Sequence, residues 1–377
     1  MPSIAIVCRV ADGYGGTTRT ILEHARRLHE KGWRVDVVAD YFDEAAVKAT
    51  GATPVRLRSI PWGSWVKRLV FAARADRIAP GYDLVHGHGD HFEQDILSLH
   101  NCVHAAHEAV HGKAIPADSA VARLHAKMLA GRNFKVLIAN SNLMAEDVAS
   151  RFALSRASIQ VVYPGYDSKK FRAKDREKLR PGIRKELGLN ETSLLFGLIT
   201  SGDFLKRGVE RFITAFGLLS KKVPDARALV VGKENKLGDY RAMAAAVGVE
   251  KSLFFLPPRK DVESLYHALD VYVHPAAYEE FGQSVQEALA CGLPVIAGRK
   301  VGAAELMPHE AKRLQLGTLA PEELAEKMER LASEADTRRK LGALGPGAVA
   351  ANDWDANFAA TLAIYERLLS EKARQKK

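Results

Sequence analysis

Short β-branched runs alternate along the chain with longer segments whose apolar residues recur every three to four positions. That is the pattern of a parallel sheet covered by helices. In the first half, residues 4–8, 34–39, 84–87, 96–99, 136–139 and 159–162 read as strands, and 18–31 reads as a helix with Leu22, Ala25 and Leu28 on one face. A charged stretch marked by Pro164-Gly165 and Pro181-Gly182 interrupts the alternation and reads as a linker. The pattern then restarts, with strands at 194–198, 228–231, 253–256, 271–274 and 294–297 and a helix over 209–221. The expected fold is therefore α/β, with two Rossmann-like domains facing across a cleft and ligands at the carboxyl ends of both sheets. Domain limits of 1–165 and 166–350 follow, and a closing segment, 351–377, carries an amphipathic helix expected to pack back on the first domain.

A length of 377 residues suits two domains. The chain is 47% hydrophobic, as globular proteins are, and no run is apolar for long enough to span a bilayer. Its start reads as a first strand, without the basic stretch and apolar core of a secretory signal. Three scattered cysteines, Cys8, Cys102 and Cys291, form no disulfide framework, so the expected location is the cytoplasm. Of the net charge of +10, about +8 falls in residues 1–180, where 27 Lys and Arg face 19 Asp and Glu. Such a basic half suits anionic partners such as acidic lipid headgroups or phosphorylated glycans. No nucleic-acid-binding signature accompanies it, so nucleic acid is not an expected partner.

The densest chemistry lies between Tyr278 and Ile296. Here a strand is followed by Glu279-Glu280-Phe281-Gly282-Gln283-Ser284 and a helix that Gly292 ends. A helix opening near Gln283 offers unpaired N–H groups and the positive end of its dipole, which suit a diphosphate. Glu287, expected in that helix's first turn, can accept both hydrogens of a ribose diol, and Glu279 can accept from sugar hydroxyls. Two isolated glutamates would read as solvated acids; the whole string argues otherwise.

Glu279-x7-Glu287, with Phe281-Gly282 inside it and Ala288-Leu289-Ala290-Cys291-Gly292-Leu293-Pro294 after it, resembles the signature of glycosyltransferase family 4. That family comprises retaining enzymes of GT-B architecture, and the resemblance runs over nearly the whole chain. It implies that Glu279, His100, Lys206 and Arg207 serve catalysis. It also implies that Gly15, Gly16, Arg259, Phe281, Gly282, Gln283, Ser284 and Glu287 hold the donor. Lys206 and Arg207 would neutralise a departing diphosphate without a metal, so no cofactor is expected beyond the nucleotide sugar itself. The family commonly has arginine where Gly202 stands and lysine where Arg207 stands. The adjacent cations here resemble the lipopolysaccharide-core glucosyltransferase branch instead. The implied activity is retaining transfer of a hexose from a UDP-sugar to a glycan or glycolipid acceptor, in lipopolysaccharide-core or other cell-envelope polysaccharide synthesis. A GT-B nucleotide-sugar epimerase would share the second domain without needing an acceptor.

Two further features compete for attention. His86-x-His88-x-Asp90-His91 reproduces the dizinc string of metallo-β-lactamase-like hydrolases, whose imidazoles and carboxylate can hold two zincs. The nucleotide-sugar pattern of the second half argues against it, and the expected metal content is none. Trp62, Trp65, Val66, Leu69 and Ala73 lie at helical spacing among Lys67, Arg68, Arg74 and Arg77. That arrangement suits either a core-facing helix or one lying on an anionic membrane surface, peripheral to the cytoplasmic face.

Overall fold

The computed structural model describes residues 1–12, 15–60, 62–190 and 192–375. Gly13, Tyr14, Pro61, Glu191 and the last two residues lie outside the described residues. The chain divides into two compact units, residues 1–165 with 354–377, and residues 166–353.

The first unit is built on a seven-stranded parallel sheet: β1 (Ser3–Val7), β2 (Arg34–Ala39), β3 (Thr53–Arg56), β4 (Leu84–Gly87), β5 (Ile96–Ser98), β6 (Val136–Ala139) and β7 (Ile159–Val161), in spatial order β3-β2-β1-β4-β5-β6-β7. All five residues of β1 are buried, as a central parallel strand covered on both faces requires. Its alternate residues serve opposite faces. Ile4 and Ile6 pack with Ile21 and Leu28 of the helix Gly16–Glu30 and with Tyr365 and Leu368 of the terminal helix Trp354–Gln375. Ala5 and Val7 pack with Phe71 and Ala75 of the helix Ser64–Ile78. The terminal helix thus completes the core of this unit.

The second unit has a six-stranded parallel sheet: β8 (Leu195–Ile199), β9 (Arg227–Val231), β10 (Leu253–Leu256), β11 (Val271–His274), β12 (Val295–Gly298) and β13 (Gln315–Leu316), ordered β10-β9-β8-β11-β12-β13. In both units the order reverses beside the first strand, the switch point at which doubly wound sheets bind ligands.

The stretch expected as a linker runs at its end into a helix, Arg176–Glu186, with Pro181 inside it. Arg176, Arg180 and Arg184, four residues apart on one face, reach the carbonyls that end the helix Val262–Ala268 and the carboxylate of Asp270. Cations at the carboxyl end of the Val262–Ala268 helix meet its negative dipole end, so the arginine row ties the two helices together.

Candidate active site

Four segments of the second unit converge beyond the carboxyl ends of β8 and β11. After β8 the backbone turns through Gly202 (φ +150°), where an added Cβ would stand 2.8 Å from the Lys233 carbonyl oxygen. Asp203 adopts a left-handed conformation, and its side chain accepts from the Lys206 N–H at 3.2 Å, capping the single turn Phe204–Arg207. Gly208 (φ +75°) ends that turn against the Pro275 carbonyl, too close for any side chain. Lys206 and Arg207 are thus held beside the segment that follows β11.

That segment carries the two glutamates. The Glu279 N–H donates to the Lys300 carbonyl at 2.8 Å, and Gly302 donates to the Glu279 carbonyl at 2.9 Å. Ala303 donates to the Phe281 carbonyl at 2.7 Å, so a second loop clamps the first. Glu279 forms an ion pair with Arg207, and the Glu280 carboxylate accepts from Lys206 Nζ at 2.7 Å. All four side chains are largely buried. His274 lies 3.6 Å from Glu279, but burial, reinforced by Arg207 and Lys206, lowers its pKa to about 3, so it is neutral there.

Gly282 (φ +93°) opens the helix Gln283–Ala290, leaving Gln283 and Ser284 partly exposed at its amino end. Glu287 is the fifth residue of this helix and so lies in its second turn, not the first as expected. The helix opens at Gln283 as expected, and its fifth residue already lies beyond one turn of about 3.6 residues. Its carboxylate is almost wholly buried and accepts from the Tyr266 hydroxyl at 2.8 Å. Burial and then Glu287 itself push the Tyr266 hydroxyl well above the ordinary tyrosine range, so it remains a donor. Arg259 is engaged elsewhere, bridging Asp261 at 2.7 Å and Glu186. Glu280, Tyr266 and His274 are additions that the sequence pattern did not single out as site residues. Glu280 shares the acidic string, whereas no local signal marks Tyr266.

In the first unit, Gly15 is the amino cap of the Gly16–Glu30 helix, in extended conformation. His100 follows β5 by two residues, and its Nε2 lies 2.7 Å from Nδ1 of His88, the residue after β4. The dizinc alternative is not assembled: no group of three or more His, Cys, Asp or Glu is placed to hold a metal among the described residues. His86 instead binds the Tyr365 hydroxyl at 2.6 Å and the Ser98 hydroxyl at 2.7 Å. Asp90 accepts from the Arg9 N–H at 2.8 Å and faces Arg68 at 3.6 Å. His104, His107 and His111 belong to one short helix, Val103–His111.

The tryptophan segment divides differently from either expectation. Trp62 precedes the helix Ser64–Ile78, whose core face is Phe71, Ala72 and Ala75. Of the apolar stripe, Trp62 is 70% exposed and Val66 40%, while Trp65 is half-buried with the Arg123 guanidinium 4.3 Å above its ring. No helix among the described residues is long and apolar enough to cross a membrane.

Comparison with known proteins bears on the family and the fold. Residues 180–346 match the family model of glycosyl transferases group 1, and residues 14–170 that of Glycosyltransferase Family 4. A D-inositol 3-phosphate glycosyltransferase of Salinispora arenicola is 28% identical over 93% of this chain and 87% of its own length. The Corynebacterium urealyticum protein of that name is 29% identical over 63% of this chain, which spans only 57% of that relative's length. Among solved structures, WaaG, a glycosyltransferase involved in lipopolysaccharide biosynthesis, superposes with a TM-score of 0.82 at 19% identity, covering 95% of this chain and 98% of its own. Anabaena HepE in complex with UDP and glucose superposes with a TM-score of 0.77 at 18% identity, covering 97% and 100%.

Proposed function

The chain belongs to the GT-B glycosyltransferases, with a family 4 domain followed by a group 1 domain, and we propose that it moves a hexose from a UDP-sugar to a glycan or glycolipid acceptor with retention of configuration. The observation that carries this reading is the convergence of Lys206 and Arg207 with Glu279 and Glu280 beside the amino end of the Gln283–Ala290 helix. In this reading the donor diphosphate takes Lys206, Arg207 and the N–H groups at Gln283 and Ser284. Glu287 accepts from the ribose diol. Glu279 and His100 hold hydroxyls of the sugar, and Gly15 and Gly16 let the backbone approach the phosphate.

Retention by double displacement needs a carboxylate nucleophile close to the anomeric carbon. Glu279 is instead paired with Arg207, on the side of the site that this reading gives to the leaving diphosphate. The reading therefore takes same-face attack: the anomeric C–O bond to the diphosphate breaks through an oxocarbenium-like state, the acceptor oxygen forms the new bond, and its proton passes to the departing phosphate. Two cations stabilise the leaving charge with no metal, so activity should survive EDTA.

A lipopolysaccharide-core or other cell-envelope acceptor is consistent with the likeness to WaaG. The inositol phosphate named for the sequence relatives is a further acceptor to test. The exposed Trp62 and Val66, with Lys67, Arg74 and Arg77 nearby, support peripheral binding to an anionic membrane on the cytoplasmic side. Calorimetry across UDP-, GDP- and ADP-sugars, followed by product analysis for transfer, hydrolysis or epimerisation, tests the reading. UDP-sugar binding with transfer supports it; epimerisation, or no nucleotide-sugar binding, refutes it.

A further inference from the structure

The residues that follow β4 and β5 bring His88 and His100 edge to edge. His88 Nδ1 and His100 Nε2 are 2.7 Å apart, the ring planes differ by 10°, and the centroids are 5.0 Å apart. This is the spacing of two coplanar imidazoles sharing one in-plane proton. His86 stacks on His88 at 4.5 Å and 28°, and is itself fixed at both nitrogens by the Tyr365 and Ser98 hydroxyls. His88 is buried and held in its plane.

One proton lies between the rings, so one ring donates and the other accepts. Burial, reinforced by the neighbouring imidazoles, holds His88 well below the ordinary histidine value. The ring is therefore neutral and carries a single proton. Its Nε2 is buried with no hydrogen-bond partner. A proton there would be a buried orphan N–H, whereas a bare lone pair is the lesser cost. The proton of His88 is thus on Nδ1. His100 accepts it at Nε2 and must carry its own proton on Nδ1.

We propose that His88 is a positioning residue: by donating from Nδ1 to His100 it fixes His100 in the Nδ1–H form, making His100 a hydrogen-bond donor toward an oxygen of the transferred sugar. This rests on the reading of His100 as a sugar contact. A donor fixed in this way selects sugars that present a hydroxyl or carboxylate oxygen at that point. It disfavours a deoxy or ammonium group there, neither of which can accept from that N–H.

The test begins without substrate. Long-range proton–nitrogen NMR on histidine-labelled protein, with His100→Gln to assign the signal, reads which His100 nitrogen bears the proton. The expected site is Nδ1 in the wild type and in His88→Asn, whose amide nitrogen replaces the Nδ1 donor. His88→Asp offers only acceptors and should move the proton to Nε2. Turnover of the preferred UDP-sugar should stay within about threefold in His88→Asn. In His88→Asp it should fall about 10- to 100-fold in kcat, by analogy with loss of the partner that orients a metal-bound histidine, with UDP affinity unchanged as the check on folding. A wild-type proton on Nε2 overturns the assignment even if every His88 variant misfolds. Equal kcat in the Asn and Asp variants despite a moved proton overturns the positioning role. Wild-type protein that turns over no UDP-sugar refutes the transferase reading instead, and the tautomer measurement is unaffected by that failure.

Discussion

Replacing Glu287 by glutamine probes the nucleotide end of the site with little disturbance to packing. The carboxylate is 6% exposed and already accepts from the Tyr266 hydroxyl at 2.8 Å. Glutamine keeps one acceptor oxygen for that tyrosine but turns the other position into a donor. A ribose diol that gave both its hydrogens to the carboxylate then loses at least one charge-assisted hydrogen bond. Such bonds contribute about 1.5–3 kcal/mol, so UDP should bind about 10- to 150-fold more weakly. Calorimetry with UDP and with its 2′,3′-dideoxy analogue completes a double-mutant cycle. The analogue should weaken wild-type binding by a similar factor and add little to Glu287→Gln, because both remove the same contact. UDP affinity within twofold of wild type in a folded variant would falsify the assignment, as would fully additive effects of variant and analogue.

Acidification should destabilise the two units unequally. His24 and His91 in the first unit and His267 in the second have pKa values lowered to about 4, and His274 to about 3, in each case chiefly by burial. His86 and His88 are lowered as well. Below the unfolded value of 6.5 the unfolded chain takes up protons that the folded form refuses, so stability falls as pH drops from 6.5 toward the folded values, by about 1.4 kcal/mol per pH unit for each histidine. With four of these histidines against two, the first unit's calorimetric transition should move down further between pH 7.5 and 5.5; equal shifts would contradict this. Asp270→Ala strands the buried Arg184 guanidinium and should cost about 3–5 kcal/mol in urea unfolding of the second unit, whereas a loss under 1 kcal/mol would show that the arginine cluster is solvated. Trp62→Ala with Val66→Ser should weaken salt-sensitive cosedimentation with anionic liposomes, and wild-type binding indifferent to lipid charge would exclude the membrane surface as a partner.

Much of the fold was legible because the central strands are buried on both faces and read as apolar runs, residues 4–7 and 271–273 among them. The edge strand Thr53–Arg56 was not, since half-exposed residues and Pro54 carry no such signal. Arg176–Glu186 was hidden by Pro181-Gly182, which usually marks a turn; the carboxylate and carbonyls that hold its arginines lie more than 80 residues away. In the site, the acidic string and the adjacent cations were legible as local sequence, whereas the positive-φ turns at Gly202 and Gly208 that place Lys206 and Arg207 were not. The pairing of Lys206 with Glu280 across 74 residues, and of Glu287 with Tyr266 across 21, depends on strand order, which local spacing does not encode.

The central claim is most directly tested by the anomer released from the donor. Slow hydrolysis of an α-linked UDP-hexose by the protein with EDTA present, water standing in for the acceptor, can be followed by proton NMR before the free sugar mutarotates. The account predicts that the α-hexose appears first, at a rate lowered in Arg207→Ala. First appearance of the β-anomer, or metal-dependent release, would contradict it.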